Sequence, residues 1–233
     1  TMVVRDSHIR ELIETNSLLN IDPDNLQEAE AKHLAAGIAL KQVFREQQIN
    51  HALSFHSSIR AAEYFKDQQN ALDQHGMQPT TNNLHISSRK TAGERSQLLK
   101  EFEGHDRSLM TNARCLTEGV DIPAIDCVLF ADPKQSVVDI VQATGRALRR
   151  HKDKEYGYVL IPIIVPDDMN VEEFAEQTSF KKVTQIVTAL STQDERIADE
   201  FRIRQSGTKV AGRIVEIHGD VPVGLNMRAD DFV

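Results

Sequence analysis

The stretch Gln142-Ala143-Thr144-Gly145-Arg146-Ala147-Leu148-Arg149-Arg150 separates polar from apolar character when wound onto a helix. At about 100° per residue, Gln142, Gly145, Arg146 and Arg149 fall within one stripe, and Val137, Ile140, Val141, Thr144 and Leu148 fall roughly opposite. A helix patterned in this way aims cations outward from the core. A guanidinium keeps its charge, and its planar fork offers donors to several oxygens of a transferring phosphoryl group at once. Phosphate chemistry is therefore the first expectation. The plain alternative is that arginines near a helix C-terminus are favourable against the helix dipole.

The residues upstream favour the chemical reading. Thr111-Asn112-Ala113-Arg114-Cys115-Leu116-Thr117-Glu118-Gly119-Val120-Asp121-Ile122-Pro123 precede an apolar strand from Ile125 to Phe130, and together with Gln142 to Arg149 they resemble motifs V and VI of superfamily 2 helicases. The resemblance implies the second of two RecA-like lobes that close on ATP. It implies that Arg146 and Arg149 are fingers reaching the γ-phosphate, and that Gln142 orients that phosphate or the attacking water. Gly145 would permit close approach in the same stripe. In motif V, Gly119 would lie near the nucleotide, and the Asp121 carboxylate would accept from the ribose hydroxyls. The alternative for Asp121 is a turn residue before Ile122-Pro123. Thr111 ends a strand where the family contacts a nucleic-acid phosphate without reading base identity, with helix capping as its alternative. Phe55-His56-Ser57-Ser58 resembles motif IV, so Ser57 and Ser58 are candidates for phosphate contact or for an N-cap. Ser87, in Ile86-Ser87-Ser88, stands where many relatives carry a threonine and a glycine that touch the strand backbone. The phrases Glu118 to Pro123 and Gly157 to Pro162 look most like the helicase subunits of restriction systems and related large bacterial helicases, which favours DNA over RNA.

Half of the machinery is missing from the chain. The sequence contains no glycine-rich loop ending in Gly-Lys-Ser/Thr, and its Lys90-Thr91 pair follows Ser87-Ser88-Arg89. Nor does an Asp-Glu pair close an apolar strand, as magnesium binding in a first lobe requires. ATP and Mg2+ are thus expected to be held mainly by a first lobe outside this chain. The chain alone should bind ATP weakly and hydrolyse none, and further modules of the same protein are expected partners. A non-catalytic regulatory or docking module derived from a helicase lobe is the rival expectation.

The elements that must position these residues follow an α/β grammar. Apolar runs at Ala52 to Phe55, Leu84 to Ser87, Ser108 to Thr111, Ile125 to Phe130 and Tyr158 to Ile161 alternate with helical patterns at Ser58 to Leu72, Gly93 to Phe102 and Gln142 to Arg150. This alternation implies crossovers that build a parallel, RecA-like sheet flanked by helices. In the second of these helices Leu98, Leu99 and Phe102 are expected core, and Pro162 should weaken the last strand beyond Ile161. A helical connecting segment is expected over 1–48, the helicase C-terminal RecA-like domain over 49–165, and a mainly helical C-terminal extension over 166–233.

Composition narrows the partners. The chain has 233 residues, 40% of them hydrophobic, and a formal charge of −8, so any grip on nucleic acid must be local rather than a bulk electrostatic one. The short basic cluster from Arg146 to Lys154 is one candidate for such a grip. Cys115 and Cys127 read as packing residues of a reducing compartment. No apolar run reaches the length of a membrane span and the N-terminus lacks a signal-like stretch, so no membrane partner and a cytoplasmic setting are expected. His56 and His85 belong to nine histidines scattered without ligand spacing, so they read as structural, with no metal site expected.

Overall fold

In the computed structural model, residues 2–15, 21, 27–47, 49–113, 124–131, 144 and 157–169 are described. The alternating segments become β2 (His51–Phe55), α3 (Ile59–Gln74), β3 (Asn82–Ile86), α4 (Ala92–Gly104), β4 (Ser108–Asn112), β5 (Cys127–Phe130) and β6 (Tyr158–Leu160), preceded by β1 (Met2–Arg5), α1 (Asp6–Thr15) and α2 (Glu28–Glu46) and followed by β7 (Pro162–Val165). A five-stranded sheet has the order β3-β4-β2-β5-β6, and every neighbouring pair in it is parallel. Each of its expected strands is present, displaced by a residue or two at the ends.

Period two divides the sheet into two faces. Ala52, Leu109, Cys127, Leu129 and Leu160 join the core built with Leu34, Ala35, Leu40 and Phe44 of α2 and Phe65 and Leu72 of α3. His51 points to the other face, where its ring centroid lies 5.0 Å from that of Phe102 on α4. The central strands β2, β4 and β5 are almost entirely buried, which is why they read as near-continuous apolar runs. Leu98 and Leu99 differ from expectation. Only Phe102 of α4 is fully buried, and both leucines are half-buried because α4 lies against the edge strand β3 and its neighbour β4 at one end of the sheet.

Local signals set the helix ends. Ser58 accepts from the Ala61 amide at 3.1 Å and caps α3, and Thr91 with Glu94 forms a capping box that opens α4. Helix α3 closes with Gly76 at φ +91°, bonded from its amide to the Asp73 carbonyl at 3.0 Å, while the Met77 amide reaches back to Leu72. Beyond that turn a largely buried ion pair ties α2 and α3 to β3 and the loop ahead of it. Lys41 of α2 bonds Asp73 of α3, the Pro79 carbonyl at 2.9 Å and the Thr81 hydroxyl at 3.1 Å, and Asp73 also accepts from Asn83 at 2.7 Å.

The N-terminal segment is helical over α1 and α2, but the sequence reading misses the strand ahead of them. β1 pairs in parallel with β7, Met2 opposite Pro162 and Arg5 opposite Val165, in a separate two-stranded sheet. Pro162 ends one ladder and begins another. A proline lacks the N–H needed to extend β6 along β5, yet it is tolerated as the first residue of a strand. The Arg5 guanidinium donates to the carbonyls of Pro166 and Met169 at 2.9 and 2.7 Å, and the Asp167 carboxylate accepts from the amide and hydroxyl of Ser7 at 2.9 and 2.8 Å. Val4, Ile9, Leu12 and Ile13 thereby enter the common core. The expected extension beyond 169, including helical text from Val171 to Phe201, lies outside the described residues. Among the described residues no helix is long and apolar enough to cross a membrane.

Candidate nucleic-acid interface at the strand ends

The register gathers the carboxyl ends of four strands at one level. Phe55 stands opposite both Asn112 and Phe130, and Ile86 stands opposite Asn112. The residues that follow, His56-Ser57-Ser58, Ser87-Ser88, Ala113 and Ala131, therefore share one rim of the sheet. This is the edge at which open parallel sheets bind ligands. A bond from the His56 amide to the Asn112 carbonyl at 3.0 Å fastens the ends of β2 and β4 there.

The four residues expected to touch nucleic-acid phosphate are thus brought together, in unequal circumstances. Ser57 is half-buried at the rim, and Ser58 is exposed with its oxygen capping α3. Ser87 is buried, and its carbonyl accepts from the Lys90 amide at 3.2 Å, turning the chain into α4. Thr111 is fully buried, and its hydroxyl meets His85 Nδ1 at 3.0 Å rather than pointing outward. The capping alternative accounts for Ser58, whereas the Thr111 hydroxyl is engaged with His85.

Beneath the rim lies a polar cluster whose members the sequence does not link. His56 is fully buried, its Nε2 is 3.0 Å from Ser54 Oγ, and its ring packs 4.9 Å from Phe65 and 5.7 Å from His33 of α2. His85 Nε2 faces Glu63 Oε1 of α3 at 3.8 Å. Burial, reinforced by His33 and His85, holds the His56 imidazole well below the ordinary histidine range. Burial also lowers His85; the Glu63 carboxylate opposes that shift, and Lys90 and Lys66 add to it. Glu63 and His85 are far apart in the chain and lie on different elements, so no spacing rule connects them.

These lowered imidazoles predict acid sensitivity. The unfolded chain takes up protons as pH falls below about 6.5, and the folded chain resists them. The stability contribution is complete above that value and is lost as pH falls from there toward the folded pKa. For the buried His56 the loss should be about 1 kcal/mol over the first pH unit. Urea titrations of the chain at pH 7.5, 6.5 and 5.5 should show this slope, and it should be shallower in His56→Gln. An unchanged slope in that variant would contradict the assignment.

The other expected site residues, Gly119, Asp121, Gln142, Gly145, Arg146 and Arg149, lie outside the described residues. Within that stretch Thr144 is described: it is helical and fully buried, as the stripe opposite the arginines requires. Cys127 is fully buried and packs in the core as expected, whereas Cys115 lies outside the described residues.

Comparison with known proteins agrees with this arrangement. Residues 36–151 match the helicase conserved C-terminal domain. The chain is 30% identical over 79 residues to the putative ATP-dependent helicase IRC3 of Saccharomyces cerevisiae, a match covering 34% of this chain and 12% of that protein. It is 27% identical over 111 residues to the probable helicase A859L of African swine fever virus, covering 46% of this chain and again 12% of the relative. Among solved structures, the ATP-dependent Type ISP restriction-modification enzyme LlaBIII bound to DNA shares the fold, with a TM-score of 0.70 and 24% identity over 99% of this chain and 16% of that one. The chain thus spans only a small part of each of these three proteins. A parallel sheet in this order, the rim at its carboxyl edge and the match over residues 36–151 together place this chain in the helicase C-terminal domain family, as a RecA-like lobe.

Proposed function

We propose that this chain is the second motor lobe of an ATP-dependent nucleic-acid helicase or translocase acting in the cytoplasm, with DNA the favoured track. The observation that carries the proposal is the common rim, where Ser57, Ser58, Ser87 and the end of β4 stand side by side and the last of these runs directly into the 114–123 segment. Hydroxyls and free backbone amides at such an edge grip phosphates irrespective of base sequence. Because the Thr111 hydroxyl is engaged with His85, the contact at that position falls to the backbone that follows it.

ATP is held by a first lobe outside this chain. Mg2+ stays mainly with that lobe too, since the second lobe's donors are cations, an amide and a single acceptor carboxylate rather than a metal-binding set. Closure brings Arg146 and Arg149 to the γ-phosphate, where their fixed charge stabilises the transferring group, and Gln142 orients it. Gly145 allows the approach, and Gly119 and Asp121 hold the nucleotide from the side of this lobe. Alternating closure and reopening lets the rim hold and release a single strand. The buried, helical Thr144 supports the outward aim of the arginine stripe.

The test separates the motor from a docking module. Calorimetric titration of the 233-residue chain with ATP should show weak binding, and a phosphate-release assay should show no turnover. The complete protein should hydrolyse ATP and be stimulated by single- or double-stranded DNA more than by RNA. Robust hydrolysis by the chain alone, or none by the complete protein, would refute the reading.

A further inference from the structure

His85, Thr111 and Ser54 stand opposite one another in register across β3, β4 and β2, and all three are buried. By the period of the strands they share the face covered by α3. A row of buried polar side chains inside a sheet costs stability unless its hydrogen bonds are met, and valine or isoleucine would pack there without that demand. One bond of the row runs across the strands and one leads toward the rim. His85 Nδ1 lies 3.0 Å from Thr111 Oγ1, and Ser54 Oγ lies 3.0 Å from His56 Nε2. Two residues further along each strand, on the same face, come Ser87, Ala113 and His56, the first residues beyond the sheet.

We propose that His85 is a positioning residue for phosphate contact at this rim: its bond to Thr111 locks that side chain in one rotamer and joins the ends of β3 and β4. Ser87 and Ala113, the first residues beyond the two strands, then stand at a fixed spacing at the rim for one phosphate of a nucleic-acid strand. This inference rests on the reading of the chain as a nucleic-acid motor lobe. Glu63 Oε1 faces the other ring nitrogen at 3.8 Å, beyond hydrogen-bond reach, from a half-exposed side chain. The charged and titratable groups around the ring are Glu63 and Lys66 of α3, Lys90 ahead of α4, and His56 beyond β2. Burial keeps the ring neutral near neutral pH. Protonation makes both ring nitrogens donors, so in the tautomer whose Nδ1 accepts from Thr111 the hydroxyl must turn its own proton elsewhere and the lock changes.

The test uses His85→Leu, which removes the bond, and His85→Asn, which keeps a polar group near Nδ1. In the complete protein at pH 7.5, below the melting range of every variant, fluorescence anisotropy with a single-stranded oligonucleotide should show His85→Leu weakened roughly three- to tenfold. His85→Asn should stay within about twofold of wild type, and its affinity should lack the wild-type change between pH 7.5 and 5.5. In the 233-residue chain, methyl NMR of Thr111 should report one rotamer for wild type and averaging for His85→Leu. Equal affinities and pH profiles for all three proteins, or an unaveraged Thr111 in His85→Leu, would overturn the role of His85. Failure of the wild-type protein to bind any oligonucleotide would instead overturn the motor reading, and the rotamer measurement would still decide whether His85 holds Thr111.

Discussion

Arg146→Ala in the complete protein should lower kcat for ATP hydrolysis by ~10³–10⁵, the range that an arginine finger contributes to phosphoryl transfer. The loss should fall on kcat more than on nucleotide affinity, because the guanidinium meets charge that develops on the transferring group and not charge already present in bound ATP. Arg149→Ala should lose turnover on the same scale. The double variant should lose far less than the product of the two, since groups that act as one unit are not additive. Lysine should fail to rescue either position: it is a point charge without the planar fork that spans several oxygens. Single-turnover hydrolysis with saturating ATP is the deciding measurement, and near-wild-type turnover in Arg146→Ala would remove the finger assignment.

Asp73→Ala should be the most damaging single change in the described part of the fold. Lys41 is nearly inaccessible, and burial pulls its ammonium below the ordinary lysine range despite the opposing hydrogen bond and charge of Asp73. Desolvation therefore outweighs the pairing, and removing the carboxylate leaves a buried cation with neutral oxygens for company. Breaking such a pair from one side costs about 3–5 kcal/mol, whereas replacing both partners by apolar residues of similar volume is often close to neutral. The loss also reaches Asn83 and Thr81, which bond to the same carboxylate. In urea unfolding, Asp73→Ala should lose about 3 kcal/mol or more, and Lys41→Met with Asp73→Leu should recover most of it. A double variant as unstable as Asp73→Ala would mean that the carboxylate matters through its bonds to Asn83 and Thr81 and not through Lys41.

The alternation of apolar runs with helical patterns locates β2 to β6, most clearly the central strands β2, β4 and β5, which are buried on both faces and read as apolar runs bounded by polar turns. The start of α3 at Ser58 is legible because a cap bonds to a residue three positions away, whereas α4, expected from Gly93, opens at the Thr91 cap. The strand Met2–Arg5 is not legible, because its partner is β7, at the far end of the described chain, and nothing local to Met-Val-Val-Arg marks that pairing. Leu98 and Leu99 show the same limit, since a helical pattern gives a face but not how much of the sheet that face covers.

The sequence by itself determined the alternation of strand and helix, the serines that follow the strands, and the residue types that suit phosphate chemistry, because each depends on neighbours within a few positions. Only the tertiary structure decided that Thr111 turns inward to His85, that Glu63 faces the same ring, that Lys41 is neutralised by Asp73, and that Met2 to Arg5 closes on Pro162 to Val165. Those outcomes depend on which distant groups share a low-dielectric interior. There an unmet hydrogen bond or an unpaired charge costs enough to choose one partner, and the choice leaves no trace in local spacing.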